Sequence, residues 1–237
     1  MKILVINPNS TASMTAAIGA AAKRVAAPGT AIAAVNPTSG PAAIQGAEDG
    51  LAALPGLFAL FEREVMQAPK TTGDCDAVVI ACFDDTGLKA LKARSPVPVV
   101  GIGEAGFLAA MLVAERFSVV TTLDVSLPVI EANLEAYGWR SRCAGLHASG
   151  VPVLDLEGAG AKVVETVAAG IARAMAEDGC DAVVLGCAGM ADLAEEMTER
   201  FGIPVIDGVA AAVTFCEALH RAGFDNSPQR PLTAATQ

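Results

Sequence analysis

An internal repeat constrains the fold of this chain more than any other feature of its sequence. The segment CDAVVIAC at residues 75–82 returns as CDAVVLGC at residues 180–187, 105 positions later. The segment VPVV at 97–100 is likewise matched by IPVI at 203–206. Two copies of one pattern within 237 residues predict two similar structural units.

Each unit has the pattern of an α/β fold. Apolar runs rich in Val and Ile are typical of strands buried on both faces, and they alternate with Ala-rich helical stretches, which predicts parallel sheets covered by helices. Residues 97–114 are predicted to form a strand, a loop and a helix. The apolar segment 107–113 could serve an interface or lie in the core, and we favour the core. The predicted strands are 2–6, 30–35, 77–81, 97–102, 118–121, 151–154, 182–185 and 204–206. The predicted helices are 11–27, 48–67, 127–137, 160–178, 191–201 and 209–222.

The composition is that of a globular protein with an acidic surface. Hydrophobic residues make up 53% of the chain and charged residues 18%. The net charge of −10 and the aromatic content of 4% argue against nucleic acid as a partner, because a polyanion is repelled and few rings can stack on bases. The apolar run at 3–6 is too short for a signal peptide, and Pro and Gly interrupt residues 97–114, so we expect a cytoplasmic protein without a membrane partner.

Cys82 and Cys187 hold the same position in the two repeats, just after a predicted buried strand. Open α/β sheets bind their ligands at this end of the strands. A helix is predicted to begin soon after each thiol, so we expect helix N-termini to lower the pKa of both thiols. The other four cysteines, at 75, 143, 180 and 216, are expected to be small buried apolar residues.

Two thiols on facing units could remove a proton from one face of a carbon and return a proton to the other face. Such a two-base reaction needs a base on each side of a planar carbanion, and a pseudo-two-fold arrangement of the repeats would supply one from each unit. Backbone N–H groups at the strand ends could stabilise an enolate oxygen. We therefore expect no metal and no organic cofactor, and two His without Cys-x-x-Cys give little support for zinc.

Other polar residues also follow predicted strands, each with a structural alternative. Asn9 and Ser10 could bind a substrate carbonyl or carboxylate, or could form a turn and a helix cap. The same alternatives apply to Thr121 and Thr122. The carboxylates at 84 and 85 either orient a substrate N–H, with Asp84 as the candidate, or cap a helix. A loop at 39–41, which includes Pro41, is expected to lie over the cleft.

Three motifs carry a family resemblance. NPNS at 7–10, ACFDDTGL at 81–88 and GCAGM at 186–190 together resemble the hydantoin racemase branch of the aspartate/glutamate racemase superfamily. The resemblance covers residues 1–224 and departs from the pattern at Thr86, where many members have proline. It implies that Cys82 and Cys187 are the catalytic pair.

The resemblance also implies an architecture. It predicts two similar Rossmann-like (flavodoxin-like) parallel-sheet domains related by a pseudo-two-fold axis, with the active site in the cleft between them, and a homo-oligomer. The first domain would be discontinuous, with residues 1–97 plus 207–224, and the second would comprise 98–206. Residues 225–237 would form a loose tail.

The substrates implied by the resemblance are 5-substituted hydantoins, allantoin among them. The hydantoin C5–H lies between a carbonyl and a nitrogen, so its conjugate base is a stabilised enolate that suits a metal-free site. Phe83 and Met190 beside the thiols, with few Arg or Lys residues in the predicted loops, favour a substrate of little charge. Ala188 and Gly189 are expected to contact the substrate as well.

Alternative functions remain open at this stage. Aspartate/glutamate-type racemases and maleate cis-trans isomerases of the superfamily also keep both thiols, whereas arylmalonate decarboxylases keep one, and the pair argues against them. A two-lobed small-molecule binding protein needs no thiol at each strand end. Alkylation of both thiols would therefore inactivate the enzyme and leave a binding protein functional.

Overall fold

The two repeats form two four-stranded parallel sheets with the same strand order. The computed structural model describes residues 1–67, 75–158 and 160–224. The first sheet has the order β2-β1-β3-β4 and the second has the order β6-β5-β7-β8. The predicted α/β fold with two similar parallel-sheet units is therefore confirmed. The strands are β1 (Lys2–Ile6), β2 (Ala31–Val35), β3 (Ala77–Ile80), β4 (Val99–Gly101), β5 (Phe117–Thr121), β6 (Cys143–Ala148), β7 (Ala182–Gly186) and β8 (Val205–Asp207).

Helices alternate with these strands, as the sequence pattern predicts. Short 3-10 segments lie at Asp124–Ser126, Val153–Leu156 and Ala188–Leu193. Gly138, Gly179, Gly202 and Gly223 end four of the helices in the left-handed conformation, which glycine adopts without steric cost. The helices are α1 (Ala12–Val25), α2 (Ala47–Phe61), α3 (Leu88–Lys92), α4 (Ile102–Val113), α5 (Leu127–Tyr137), α6 (Ala161–Asp178), α7 (Ala194–Phe201) and α8 (Gly208–Ala222).

Helices α4 and α8 join the two halves. Each follows the last strand of its own sheet directly, but α4 contacts β7 of the second sheet and α8 contacts β3 of the first. The two helices also pack on each other, and the largest apolar cluster contains residues of both sheets. Within it, the rings of Phe107 and Phe117 stack with their centroids 5.8 Å apart. The halves therefore share one core, which fixes the strand ends of one sheet relative to those of the other.

Two predictions of secondary structure are wrong. The strand predicted at 151–154 is instead β6 at Cys143–Ala148, and Val153–Leu156 is a 3-10 turn. The sequence of β6, CAGLHA, contains no β-branched residue, and the strand pairs only with β5 at the sheet edge, so its strand pattern is weak. Pro152 lacks the N–H that a sheet would require. The loop predicted between β4 and α4 is also absent, because Ile102 directly follows β4 as the first residue of α4.

The segment 107–113 is core on one face only. Phe107 and Ala110 are fully buried, whereas Leu112 is 69% exposed and Val113 is 59% exposed. The preference for a core helix over an interface therefore holds for Phe107 and Ala110 but not for the exposed Leu108, Leu112 and Val113.

The boundary predicted at 97/98 cuts across the first sheet. Strand β4 pairs with β3, so residues 99–101 belong with the first half rather than with the second. The contact between α8 and β3 supports the discontinuous first domain, which stays a prediction. The predicted tail at 225–237 lies outside the described residues. No helix in the described ranges has the length and apolar character needed to cross a membrane.

Candidate active site

A cavity lies where the carboxyl ends of the two sheets meet. Its walls come from the loops that follow β1 and β3 in the first sheet and β5 and β7 in the second. In each sheet these two strands are adjacent and their connections run to opposite sides, which is the place where open parallel sheets bind ligands. Both Cys82 and Cys187 line the cavity.

The two thiols are held by short local contacts. The Sγ of Cys82 lies 3.4 Å from the Oγ1 of Thr86. The carbonyl oxygen of Cys82 accepts a hydrogen bond of 3.0 Å from the N–H of Asp85. Cys187 directly precedes the 3-10 segment Ala188–Leu193, and the backbone N–H of Gly189 donates to its thiol. Cys82 and Cys187 are both free thiols. They are close enough that the charge of Cys187 contributes to raising the pKa of Cys82.

The expectation that helix N-termini lower the thiol pKa values is wrong. Burial raises the pKa of Cys82 far above its usual range and that of Cys187 to about 11, and the charge of Asp84 raises both. Helix α3 begins only at Leu88, with Gly87 as its N-cap, so neither Asp85 nor Thr86 caps it and its N-terminus does not reach Cys82. The hydroxyl of Thr86 and the N–H of Gly189 lower the pKa of their thiols but do not offset burial.

Asp84 brings an unpartnered acceptor into the cavity. The backbone N–H of Gly46 donates to its carboxylate. Among the described residues, its Oδ2 is the buried side-chain N or O atom that has no hydrogen-bond partner. Burial raises the pKa of Asp84 to about 6. An ionised acceptor that lacks a donor in a buried site is costly unless a ligand supplies that donor.

Asp85 has a different role, although it is adjacent in sequence. Its carboxylate accepts hydrogen bonds of 3.0 Å from the N–H of Gly103 and 2.8 Å from the N–H of Glu104, in the first turn of α4. The capping alternative considered for residues 84 and 85 therefore applies to Asp85, but at a helix distant in sequence. The hydroxyl of Tyr137 on α5 also donates to this carboxylate, at 2.8 Å.

Asn9 offers a donor to the cavity. Its Oδ1 accepts from the Nδ2 of Asn7 at 2.8 Å and from the N–H of Thr11 at 3.0 Å, so the protein already uses the carbonyl side of the amide. Its Nδ2 faces only the thioether of Met14, at 3.5 Å, and a thioether is a weak acceptor. The turn alternative therefore describes Asn9, and its role as a donor to substrate stays a prediction.

Of the other predicted site residues, Phe83, Thr122 and Ala188 line the cavity. Four others, Ser10, Pro41, Thr121 and Gly189, do not line it, and their contact with substrate stays a prediction. Ser10 donates to the carbonyl oxygens of Gly40 and Pro41, so it and Pro41 hold the loop in place. Thr121 is buried in β5 and donates to the carbonyl oxygen of Gly186 at 2.8 Å. The backbone N–H of Gly189 donates to the thiol of Cys187.

Sequence reasoning missed several lining residues. Ile44 and Val153 enter the cavity from loops that the sequence leaves without a regular pattern, and Ser126 enters from the 3-10 turn before α5. Met14 and Ile18 come from α1, where their spacing of four residues places them on one helix face. This spacing predicts a buried helix face, but it does not distinguish a face that lines a cavity from one that packs in the core.

The chain resembles known proteins over nearly its whole length. It is 44% identical over 227 residues to a hydantoin racemase from Rhizobium meliloti, with 96% of this chain and 92% of the relative covered. The solved structure of an allantoin racemase from Klebsiella pneumoniae matches with a TM-score of 0.90 and 42% identity, over 99% of this chain and 96% of that one. A glutamate racemase from Campylobacter jejuni subsp. jejuni, 18% identical with a TM-score of 0.63 over 97% and 89% of the two chains, shares the fold alone.

A family model described as Asp/Glu/Hydantoin racemase matches residues 3–216, which is most of the chain. The chain belongs to the Asp/Glu/hydantoin racemase family. The predicted resemblance to the hydantoin racemase branch is confirmed, and with it the prediction that the chain is an isomerase of the racemase class.

Proposed function

We propose that this chain is a racemase of 5-substituted hydantoins and that Cys82 and Cys187 exchange the C5 proton. The observation that carries the proposal is the position of the thiols, at equivalent strand ends of two facing sheets in one small cavity. The similarity to hydantoin and allantoin racemases over nearly the whole chain supports the substrate class. The apolar wall, with Phe83, Ile18 and Ile44, suits an uncharged ring.

The reaction is a proton transfer across a planar intermediate. The thiolate of one cysteine takes the C5 proton, and the electron pair of the C–H bond moves into the adjacent carbonyl to form an enolate. The thiol of the other cysteine then gives its proton to the opposite face of C5 and becomes the thiolate. The two cysteines exchange protonation states, so the substrate is inverted with no net change in charge. Each direction of racemisation starts from the other thiolate.

Asp84 and Asn9 are proposed to hold the ring between the thiols. The unpartnered Oδ2 of Asp84 is a fitting acceptor for a ring N–H, because hydantoins carry N–H groups on both sides of a carbonyl. The Nδ2 of Asn9 is a fitting donor to a ring carbonyl. Thr122, Phe83 and Ala188 complete the proposed binding wall. Allantoin is one substrate to test.

The deciding experiment follows optical rotation of L-5-benzylhydantoin and of allantoin in deuterated buffer, with L-aspartate and maleate in parallel. We expect racemisation of a hydantoin with deuterium at C5. Cys82→Ser and Cys187→Ser should each abolish racemisation but leave deuterium exchange of one enantiomer, a different one in each variant. Cys180→Ser, which changes a buried thiol outside the cavity, is the matched control and should keep activity.

Three outcomes would count against the proposal. Turnover of aspartate or maleate without action on a hydantoin would place the chain in another branch of the family. Unchanged racemisation in both single-thiol variants would remove the two-thiol mechanism. Ligand binding that survives alkylation, with no turnover of any of the four compounds, would favour a binding protein.

Location and assembly complete the proposed function. A pair of reduced thiols as catalytic groups fits a reducing compartment, so we propose that the protein acts in the cytoplasm. A homo-oligomer is proposed because Leu108, Leu112 and Val113 are 37%, 69% and 59% exposed and adjacent on α4. Large exposed apolar side chains that lie together mark interaction surfaces.

A further inference from the structure

The loop that carries Cys82 is fastened to the second half of the molecule. Asp85 lies in this loop with φ 49°, a left-handed conformation that is uncommon for residues other than glycine. Its N–H donates to the carbonyl oxygen of Cys82 and its carbonyl oxygen accepts from the N–H of Leu88, which closes the loop on itself. Residues held in this region of backbone space cluster at functional sites and persist only where surrounding contacts fix them.

The contacts that fix Asp85 come from two helices. The N-terminus of α4 donates its free N–H groups at Gly103 and Glu104, and α5 donates the Tyr137 hydroxyl. One turn before Tyr137 on the same helix, the Nδ2 of Asn133 donates to the backbone oxygen of Asp84 at 2.8 Å. We call this set of contacts the clamp. It consists of the buried Asp85 carboxylate with its three donors and of the hydrogen bond from Asn133 to the backbone of Asp84.

The other half of the molecule does not use this arrangement. Helix α8, which follows β8 as α4 follows β4, is capped by its own preceding residue, Asp207, through the N–H groups of Val209 and Ala210. The equivalent position before α4 is Gly101, and a Cβ there would overlap the Asp85 carboxylate. The first half has therefore replaced a local cap by a carboxylate from the thiol loop.

We propose that Asp85 is a positioning residue for Cys82: by capping α4 and accepting from Tyr137 it holds the first thiol opposite the second across the cavity. Asp85 does not line the cavity, because its carboxylate binds the N-terminus of α4. Asp85 therefore acts on Cys82 only through the loop. The consequence for the reaction rests on the proposed function. The effect on the loop itself does not, because it concerns the reactivity of one thiol.

Peptide-resolved alkylation tests the clamp without any assumption about activity. In Asp85→Asn one amide oxygen replaces two acceptors, so the loop opens more often, and we expect alkylation of Cys82 by iodoacetamide to accelerate by about tenfold while Cys187 keeps its rate. Tyr137→Phe removes one donor, keeps the carboxylate and should give a smaller increase at Cys82 alone. Asp207→Asn makes the same substitution at the matched cap of α8 and should leave Cys82 unchanged.

The pH dependence separates positioning from a charge effect. The charges that raise the pKa of Cys82 are those of Asp84 and Cys187. Asp85→Asn should therefore raise the limiting alkylation rate at high pH and leave the midpoint of the curve in place. A shifted midpoint with an unchanged limiting rate would overturn the positioning role. So would equal acceleration at both thiols, or no change at Cys82 in a variant whose circular dichroism and thermal unfolding show that it is folded.

The activity arm uses single-thiol backgrounds. With Cys187→Ser, Asp85→Asn should slow the remaining deuterium exchange, which depends on Cys82. With Cys82→Ser, it should leave the exchange of the other enantiomer unchanged. Equal loss in both backgrounds overturns the proposal while the two-thiol mechanism stands. Absence of racemisation in the unmodified chain contradicts the proposed function, and the alkylation result then decides on Asp85 alone.

Discussion

Removing the charge of Asp84 should make both thiols more acidic. Asp84 lines the cavity with Cys82 and Cys187, and its negative charge raises the pKa of each. Asp84→Asn keeps the size of the side chain and removes the charge. A neighbouring like charge in a buried site shifts a pKa by about 1 unit or more, and 1 unit corresponds to about 1.4 kcal/mol. At a pH above the pKa of Asp84 and well below those of the thiols, the thiolate fraction should therefore rise by about tenfold.

The effect of Asp84→Asn on the thiols is confined to a pH window, because only the ionised carboxylate of Asp84 raises the thiol pKa values. The carboxyl of Asp84 has a pKa of about 6, because burial disfavours its charged form. Above that pH the native carboxylate is ionised and holds the thiol pKa values up. Below it the carboxyl is neutral, like the amide of the variant. The two proteins should differ about tenfold in thiol reactivity at pH 8, and the ratio should approach one as the pH falls below 6.

The assay is alkylation by iodoacetamide as a function of pH, with the two cysteine peptides followed separately by mass spectrometry. Asp124→Asn is the matched control, since it removes the same charge from an exposed residue of the 3-10 turn that contributes Ser126 to the cavity. Equal rates for the native protein and Asp84→Asn at pH 8 would refute the electrostatic coupling. A parallel kinetic measurement should show a raised KM for hydantoin, because the proposed N–H acceptor loses its charge.

Further predictions concern three positions. Thr86→Val should raise the pKa of Cys82, seen as slower alkylation at pH 8, since it removes a hydroxyl 3.4 Å from the thiol, whereas Thr86→Ser should retain the native rate. Gly186→Ala should lower the free energy of unfolding by about 1–3 kcal/mol in urea titrations, because its Cβ would lie 2.7 Å from the Cα of Thr121, while Gly160→Ala, with nothing within 4 Å, should cost much less. Leu112→Glu should shift the oligomer towards smaller species in light scattering, as the side chain is 69% exposed on an apolar face, and an unchanged mass would remove α4 from the interface.

The sequence by itself determined the architecture and the thiol pair. Runs of Val and Ile at 77–80 and 182–185 are buried on both faces of a sheet, and their repetition 105 residues apart predicts two equivalent sheets. A residue that directly follows such a strand lies at the ligand-binding end, whatever surrounds it. The positions of Cys82 and Cys187 at the strand ends follow from these local rules, because a buried strand and the residue that ends it are recognised from nearby residues.

Tertiary structure alone decided the electrostatics and the support of the site. The predicted lowering of the thiol pKa values failed because the desolvation of a thiol depends on walls such as Ile18, Ile44 and Val153, which come from distant parts of the chain. The same holds for the two adjacent carboxylates. Asp84 faces the cavity and Asp85 caps α4, since the left-handed backbone at Asp85 turns their side chains to different neighbours. Burial and hydrogen-bond partners are properties of the assembled core, and the sequence around a residue does not contain them.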